Sequence, residues 1–256
     1  MNHEIYIDEQ KCVGCKQCIK DCPQQNIDFI NNCAHIRSQD CLKCGHCVAI
    51  CPKEAVSMTG FDHEPVQFDY NKKIDPHSFL ELIQKSRSIR QFQNKEIPQD
   101  VLNDIIETAQ YMPTAKNMRD VEVILLKKEQ ANIEKVAVGV FKRLLKIMNV
   151  FNKKYRGFEI DEHFFFKQAP LVILVVAKNK TNADLAASAM AFMAQVHGLG
   201  VLYSGFFTMV SHISLQIKKM LSIQKGKKVY ATLVIGYPAV KYMRGVQRDP
   251  VHVEYR

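Results

Sequence analysis

Apolar residues along the chain recur in two patterns. After Pro98, Val101, Leu102, Ile105, Ile106 and Ala109 return at three- and four-residue intervals, which lines one face of an α-helix. Ile133, Val136, Ala137, Val140, Phe141, Leu144, Leu145 and Met148 repeat that spacing and predict a longer helix. Ile213, Ile217, Met220 and Leu221 predict another. Asp75-Pro76 sets a helix start before HSFLELIQKS, with Asp as cap and Pro at the first helical position, where a missing N–H is no loss. NADLAASAMAFMAQVHGLG reads as a helix of small residues ended by glycine. The second pattern is the apolar run. DVEVILLKK, PLVILVVAK and VYATLVIGYP predict strands, and their lack of alternation predicts a sheet covered on both faces. Helices and strands mixed in this way predict an α+β sandwich over residues 77–256.

Residues 1–60 follow neither pattern for long. IDFINNCAHI reads as a short hairpin with Asn31-Asn32 at its tip, because Asn tolerates the left-handed conformation. FDHEPVQFDYNKKID is polar and unpatterned, so residues 61–76 read as a linker between two domains, 1–60 and 77–256. A chain of 256 residues is long enough for a second core beside a small N-terminal one.

Charge separates the two parts. Residues 1–60 hold 6 Lys and Arg against 7 Asp and Glu, a net of −1; the whole chain is +9, so residues 61–256 carry +10. Such an excess suits an anionic cofactor, an acidic redox partner or a solvated lysine surface. No nucleic-acid-binding motif accompanies it, so no nucleic acid is expected. The longest strongly apolar run, LVILVVA, is far short of a membrane span, and Met1-Asn2-His3-Glu4 does not open a signal peptide. The expectation is a cytoplasmic protein with no membrane contact.

Eight of the nine cysteines lie in two runs of identical spacing: Cys12, Cys15, Cys18 and Cys22-Pro23, then Cys41, Cys44, Cys47 and Cys51-Pro52. The second run repeats the first, as an internal duplication would. Disulfides suit small secreted domains, and neighbouring thiols on one tight turn pair badly. Zinc takes four ligands, often as two separated pairs, whereas each run supplies four at once. The doubled run is similar to that of bacterial two-cluster ferredoxins, which hold two [4Fe–4S] cubanes. There the fourth cysteine of each run ligates the other cluster. The resemblance therefore implies one cluster on Cys12, Cys15, Cys18 and Cys51, and the other on Cys41, Cys44, Cys47 and Cys22. It also implies a reducing compartment, as in an anaerobe. Cys33 reads as a small half-buried residue, since the other eight complete both clusters.

Three patterns in the second domain carry chemistry. SRSIRQF places Arg87, Ser88 and Arg90 together, a set that suits a phosphate or, equally, an exposed basic turn. YMPTAKNMR carries Pro113, Thr114 and Asn117 between a helix and a strand, and HGLGVLYSGF is followed later by IGYPAVKYMRGVQRDP. In this order they resemble the nitroreductase family of FMN enzymes, over residues 77–256. The resemblance implies an α/β/α sandwich that forms a homodimer with FMN at the interface. Arg87, Ser88 and Arg90 would grip the FMN phosphate and ribityl chain. Pro113, Thr114 and Asn117 would reach the flavin of the other subunit, with Arg119 where the family usually has Gln. Backbone amides around Ser204 and Gly205 would lie near the flavin ring, and Arg248, with Arg244 the weaker candidate, would meet the phosphate.

The two resemblances together imply an iron–sulfur flavoprotein, in which two [4Fe–4S] clusters pass single electrons to FMN. FMN would in turn reduce a small electron-poor molecule, nitroaromatic or quinone-like. The catalytic chemistry is then the flavin's, and no catalytic side chain is expected. The alternative is an electron relay between a ferredoxin and another protein, with no small-molecule substrate. A ferredoxin or flavodoxin is the expected donor. The chain has no G-x-G-x-x-G fingerprint, although the resemblance leaves NAD(P)H use open.

Overall fold

A computed structural model of the chain describes residues 3–151 and 159–256. It divides into two compact units, Met1–Lys73 and Ile74–Arg256.

In the first unit β1 (Ile5–Ile7) pairs antiparallel with β4 (Val56–Met58), and β2 (Ile27–Ile30) with β3 (Cys33–Ile36). Asn31 and Asn32 join β2 to β3 at φ 50 and 61, the positive values that a two-residue hairpin demands. Two short helices, α1 (Gln17–Asp21) and α2 (His46–Ala49), each follow a cysteine loop. The duplication reaches the backbone. Gly14 and Lys43, Lys16 and Gly45, Gln25 and Glu54, Asn31 and Gly60 are equivalent pairs in the repeat, and every member has positive φ. The apolar core is slight: Cys18, Ile27 and Ala34 are buried at its centre, with Ile7, Ile19, Ile36 and Ile50 around them. So small a core ordinarily needs a staple such as a metal centre.

The second unit is built on a four-stranded antiparallel sheet. Its order is β5 (Glu122–Leu126), β6 (Leu171–Ala177), β8 (Lys228–Gly236), β7 (Gly200–Tyr203). Every residue of β6 is buried, because successive side chains serve opposite faces. Val172, Leu174 and Val176 pack towards α5 (Gln130–Phe151), α7 (Gly205–Ile213) and α8 (Leu215–Met220). Leu171, Ile173 and Val175 pack towards α4 (Gln99–Gln110) and α6 (Lys180–Val196). The result is an α/β/α sandwich. On α6, Ala183, Ala186, Ala187, Ala191 and Ala194 are all buried in this chain's own core, so its small residues let the helix sit close to α4 and the sheet. A further helix, α3 (Pro76–Lys85), is capped by Asp75, whose carboxylate accepts from the His77 and Ser78 N–H groups. No helix among the described residues is long and apolar enough to cross a membrane.

The structure departs from the apolar spacing at one helix. Ile213 ends α7, and Ser214 breaks the run with an extended ψ of 110, its hydroxyl capping α8 by accepting from the Ile217 N–H. Serine favours this role because its side chain competes with the helix backbone. Met148 lies on α5, but its side chain is outside the described residues.

One buried carboxylate ties the loop before β6 to α5. Glu134 is 3% exposed, and its Oε1 accepts from the N–H groups of Phe165 at 2.9 Å and Phe166 at 2.7 Å. Burial pushes its carboxyl up, and those two N–H groups offset the push only in part. Glu134→Ala leaves both N–H groups buried without an acceptor. The expected loss is about 2–5 kcal/mol in denaturant unfolding. Glu134→Gln keeps an acceptor and is expected to lose much less. A raised folded pKa means stability is largest below the unfolded value and declines as pH rises through the folded one. The Gln variant should lack that decline.

Candidate functional site

The first unit sets its eight paired-run thiols around two cavities. One is lined by Cys12, Cys15, Cys18 and Cys51; the other by Cys22, Cys41, Cys44 and Cys47. Each cavity thus draws three thiols from one run and the fourth from the other. The loops achieve this by left-handed turns inside each run, at Gly14 and Lys16 in the first and at Lys43 and Gly45 in the second. Gly14 has no room for a side chain, since a Cβ would lie 2.7 Å from the Asn32 carbonyl oxygen.

Backbone N–H groups already point at sulfur. Asn26 N donates to Cys22 Sγ at 3.3 Å, and its repeat equivalent Ala55 N donates to Cys51 Sγ at 3.3 Å. Lys43 N donates to Cys41 Sγ at 3.5 Å. The Ala34 N–H, with lesser help from Gly14 and the Cys33 side chain, holds the Cys12 thiol below its usual range. Burial instead pushes the Cys47 thiol up to about 11. Among the described residues no three His, Cys, Asp or Glu side chains are grouped so as to hold a single metal ion. Four thiols spread around a cavity, with N–H donors aimed at sulfur, fit a group as wide as a cubane better than one ion. Cys33 is buried, bonds to the Ala34 carbonyl at 3.4 Å and lines neither cavity.

In the second unit the Arg87–Gln93 segment is stitched along two others. Ser88 bridges Val201 in parallel, and Ile89 N donates to Val201 O at 3.1 Å. Phe92 bridges Pro238, and Gln93 N donates to Tyr237 O at 2.8 Å. Ile89 is buried while Ser88 and Arg90 on either side are exposed, as alternation in an extended segment requires. Gly200 permits the approach, because a Cβ there would lie 2.5 Å from Ile89 Cγ1. The fold therefore gathers Arg87, Ser88 and Arg90 beside β7 and the Gly236-Tyr237-Pro238 segment. Ser204 is buried at the end of β7, and its N–H is committed to Thr232 O at 2.9 Å. Gly205 opens the first turn of α7, where a helix gives the backbone N–H no intrahelical acceptor.

Arg87 donates to the carbonyls of Ser86 at 2.7 Å and Gln84 at 3.1 Å, and Arg90 to that of Ser88 at 3.3 Å. Among the described residues neither they nor Arg244 and Arg248 form an ion pair with a carboxylate. Arg244 and Arg248 lie on the exposed irregular segment that follows β8.

The third group sits elsewhere. Pro113, Thr114 and Asn117 belong to a loop with a short 3-10 turn, Ala115–Asn117. Asn117 N donates to Thr114 O at 2.9 Å, and Thr114 Oγ1 accepts from Arg119 N at 3.1 Å. The loop is held at the N-terminal end of α6, where Asn182 Oδ1 accepts from Ala115 N at 2.9 Å. Arg87 lies at the other end, where the adjacent Ser86 hydroxyl bonds to Gln195 of α6. Residues 182 and 195 are about 20 Å apart along a helix. Within one chain the fold does not bring Pro113, Thr114 and Asn117 to Arg87, Ser88 and Arg90.

Sequence reasoning passed over Asp120 and Asn182. Asn182 is 1% exposed, and it is the one polar side chain among the buried residues of α6. Its Nδ2 donates to Asp120 Oδ1 at 2.6 Å, while Asp120 Oδ2 accepts from the N–H groups of Lys178 at 2.8 Å and Asn179 at 3.0 Å. Burial pushes the Asp120 carboxyl up, but Asn182 and those N–H groups outweigh it and hold the carboxyl below its usual range. An asparagine on an otherwise apolar, alanine-lined helix face was the available signal.

Comparison with known proteins agrees with this architecture. Residues 83–237 match the nitroreductase family model, and residues 4–52 match that of the 4Fe–4S dicluster domain. A Methanothermobacter thermautotrophicus protein, provisionally named NADH dehydrogenase/NAD(P)H nitroreductase, is 21% identical over 69% of this chain and 86% of its own. A nitroreductase with bound FMN from Bacteroides fragilis superposes with a TM-score of 0.56 at 19% identity, covering 69% of this chain and 98% of that one. An FMN-dependent nitroreductase from Clostridium difficile gives 0.56 at 18% identity, over 71% and 100%. Iodotyrosine deiodinase bound to FMN and 3-iodo-L-tyrosine gives 0.54 at 18%, over 70% and 98%.

Proposed function

The chain belongs to the nitroreductase family, and we propose that it is an FMN-dependent oxidoreductase that draws electrons through an N-terminal 4Fe–4S domain to reduce a small electron-poor molecule. The observation that carries this reading is the pair of thiol-lined cavities in the same chain as a nitroreductase domain. Bound clusters would supply electrons singly, and bound FMN would supply one- or two-electron chemistry.

The residues divide the work. Cys12, Cys15, Cys18 and Cys51 would hold one cluster, and Cys41, Cys44, Cys47 and Cys22 the other. Neighbouring N–H groups would stabilise charge on sulfur. Arg87 and Arg90, which pair with no carboxylate among the described residues, would bind the FMN phosphate and ribityl chain with Ser88. Arg248 and Arg244 would add to that grip by folding over from the segment after β8. The Gly205 amide would face the flavin ring. Pro113, Thr114 and Asn117 would come from a second copy of the chain, which makes the working form a homodimer.

A nitroaromatic or quinone-like substrate is favoured because a flat acceptor can stack on the flavin, and the named relatives include nitroreductases. The donor would be a low-potential ferredoxin or flavodoxin. The provisional name of the methanogen relative keeps a nicotinamide in the test set. The experiment is anaerobic reconstitution followed by turnover with a panel of nitroaromatics, quinones and halogenated phenols. Turnover with at least one acceptor is expected. A reconstituted protein that passes electrons to partner proteins but reduces no member of the panel would favour the relay reading instead.

A further inference from the structure

We infer that Asn182, braced by Asp120, is a positioning residue that holds the Pro113–Arg119 loop ready for the flavin of a second copy. This rests on the FMN reading above. The loop is strained: Lys116, Asn117 and Arg119 have φ of 53, 51 and 45, and none is glycine. Such conformations persist only where the surroundings enforce them, commonly at ligand clamps. A buried contact from α6 reaches the loop through Asn182. Its oxygen takes the Ala115 N–H at 2.9 Å, and its nitrogen is spent on Asp120 at 2.6 Å. Asp120 fixes which way the amide faces, because a carboxylate can only accept. Its other oxygen is anchored by the Lys178 and Asn179 N–H groups at the β6–α6 junction. One buried pair therefore ties the loop to β6 and α6.

The site geometry says whose flavin the loop serves. Ser86, next to Arg87, bonds to Gln195 near the C-terminal end of α6, about 20 Å along that helix from Asn182, so within one chain the loop and the arginine segment are held near opposite ends of α6. Asn182 and Arg90 of one chain then act on different flavins.

Two single variants and one mixed dimer test this. Asn182→Ala removes the tie. Asp120→Asn keeps the volume but lets the Asn182 amide turn over and present N–H to the Ala115 N–H. Both are expected to weaken FMN binding about tenfold, measured as recovery of flavin fluorescence, with iron content unchanged. Wild-type affinity in both variants would overturn the inference. The thermal midpoint of the flavin-free protein separates positioning from folding: it should fall much less in Asp120→Asn than in Asn182→Ala, while the loss of FMN is similar. FMN loss that simply follows the midpoint overturns it too.

The decisive arm co-expresses Arg90→Ala chains with Asn182→Ala chains under separate tags and purifies the mixed dimer. Sites built across the two copies give one doubly damaged site and one intact site, so tight FMN binding returns at one site per dimer. Sites built within each chain leave both damaged, and no tight site appears. If Arg90→Ala alone binds FMN normally, the FMN assignment itself has failed, and the two failures are distinguishable.

Discussion

Replacing Cys51 by alanine is expected to empty the cavity lined by Cys12, Cys15 and Cys18, not the one nearer to it in sequence. Four thiolates hold the four iron corners of a cubane, and the fourth in each cavity is delivered from the other run. Removing one leaves an iron corner to solvent and an opened cavity in a unit with little apolar core of its own. Iron content per chain separates crossed from uncrossed wiring through double variants. If wiring is crossed, adding Cys15→Ala to Cys51→Ala removes no further cluster, and about half of the iron remains. Adding Cys44→Ala to Cys51→Ala removes both clusters. Uncrossed wiring exchanges these two results. Cys22→Ala should behave as the mirror image, sparing the cluster of Cys12, Cys15 and Cys18.

Replacing Arg87 or Arg90 by alanine is expected to strip FMN while leaving iron untouched. Among the described residues each guanidinium bonds to backbone carbonyls and pairs with no carboxylate, which suits a contact to an anion. A charge-assisted contact contributes about 1.5–3 kcal/mol, or roughly ten- to a hundredfold in affinity. Lysine in either place should recover part of the affinity, since it restores charge without the planar fork. Equilibrium dialysis against FMN measures the loss. Unchanged affinity in both alanine variants removes these residues from the site.

Much of this was legible in the residues. The Asn31-Asn32 pair announced its hairpin because few residues accept positive φ, and the apolar run of β6 announced a sheet covered on both sides. The run of small residues announced α6 as a helix, but that they are buried against α4 and the sheet became visible only in the fold. What stayed hidden depends on contacts between distant positions. Ser214 breaks a helix that apolar spacing would have continued, and only its cap bond to Ile217 reveals this. The Asp120–Asn182 pair joins residues 62 positions apart, and nothing local marks it beyond one polar residue on an apolar face. The Ser204 amide looked available to a ligand until its partner Thr232 was placed across the sheet.

The central claim is that electrons reach the flavin through the clusters. The direct test is anaerobic stopped-flow reduction of the FMN-loaded full-length protein by a reduced low-potential ferredoxin. The same chain carrying Cys12→Ser and Cys41→Ser, matched for FMN content, serves as comparison. The account predicts fast flavin bleaching in the intact chain and a loss of at least an order of magnitude in the variant, with photochemical reduction of the flavin unaffected. Equal rates in the two proteins would contradict it.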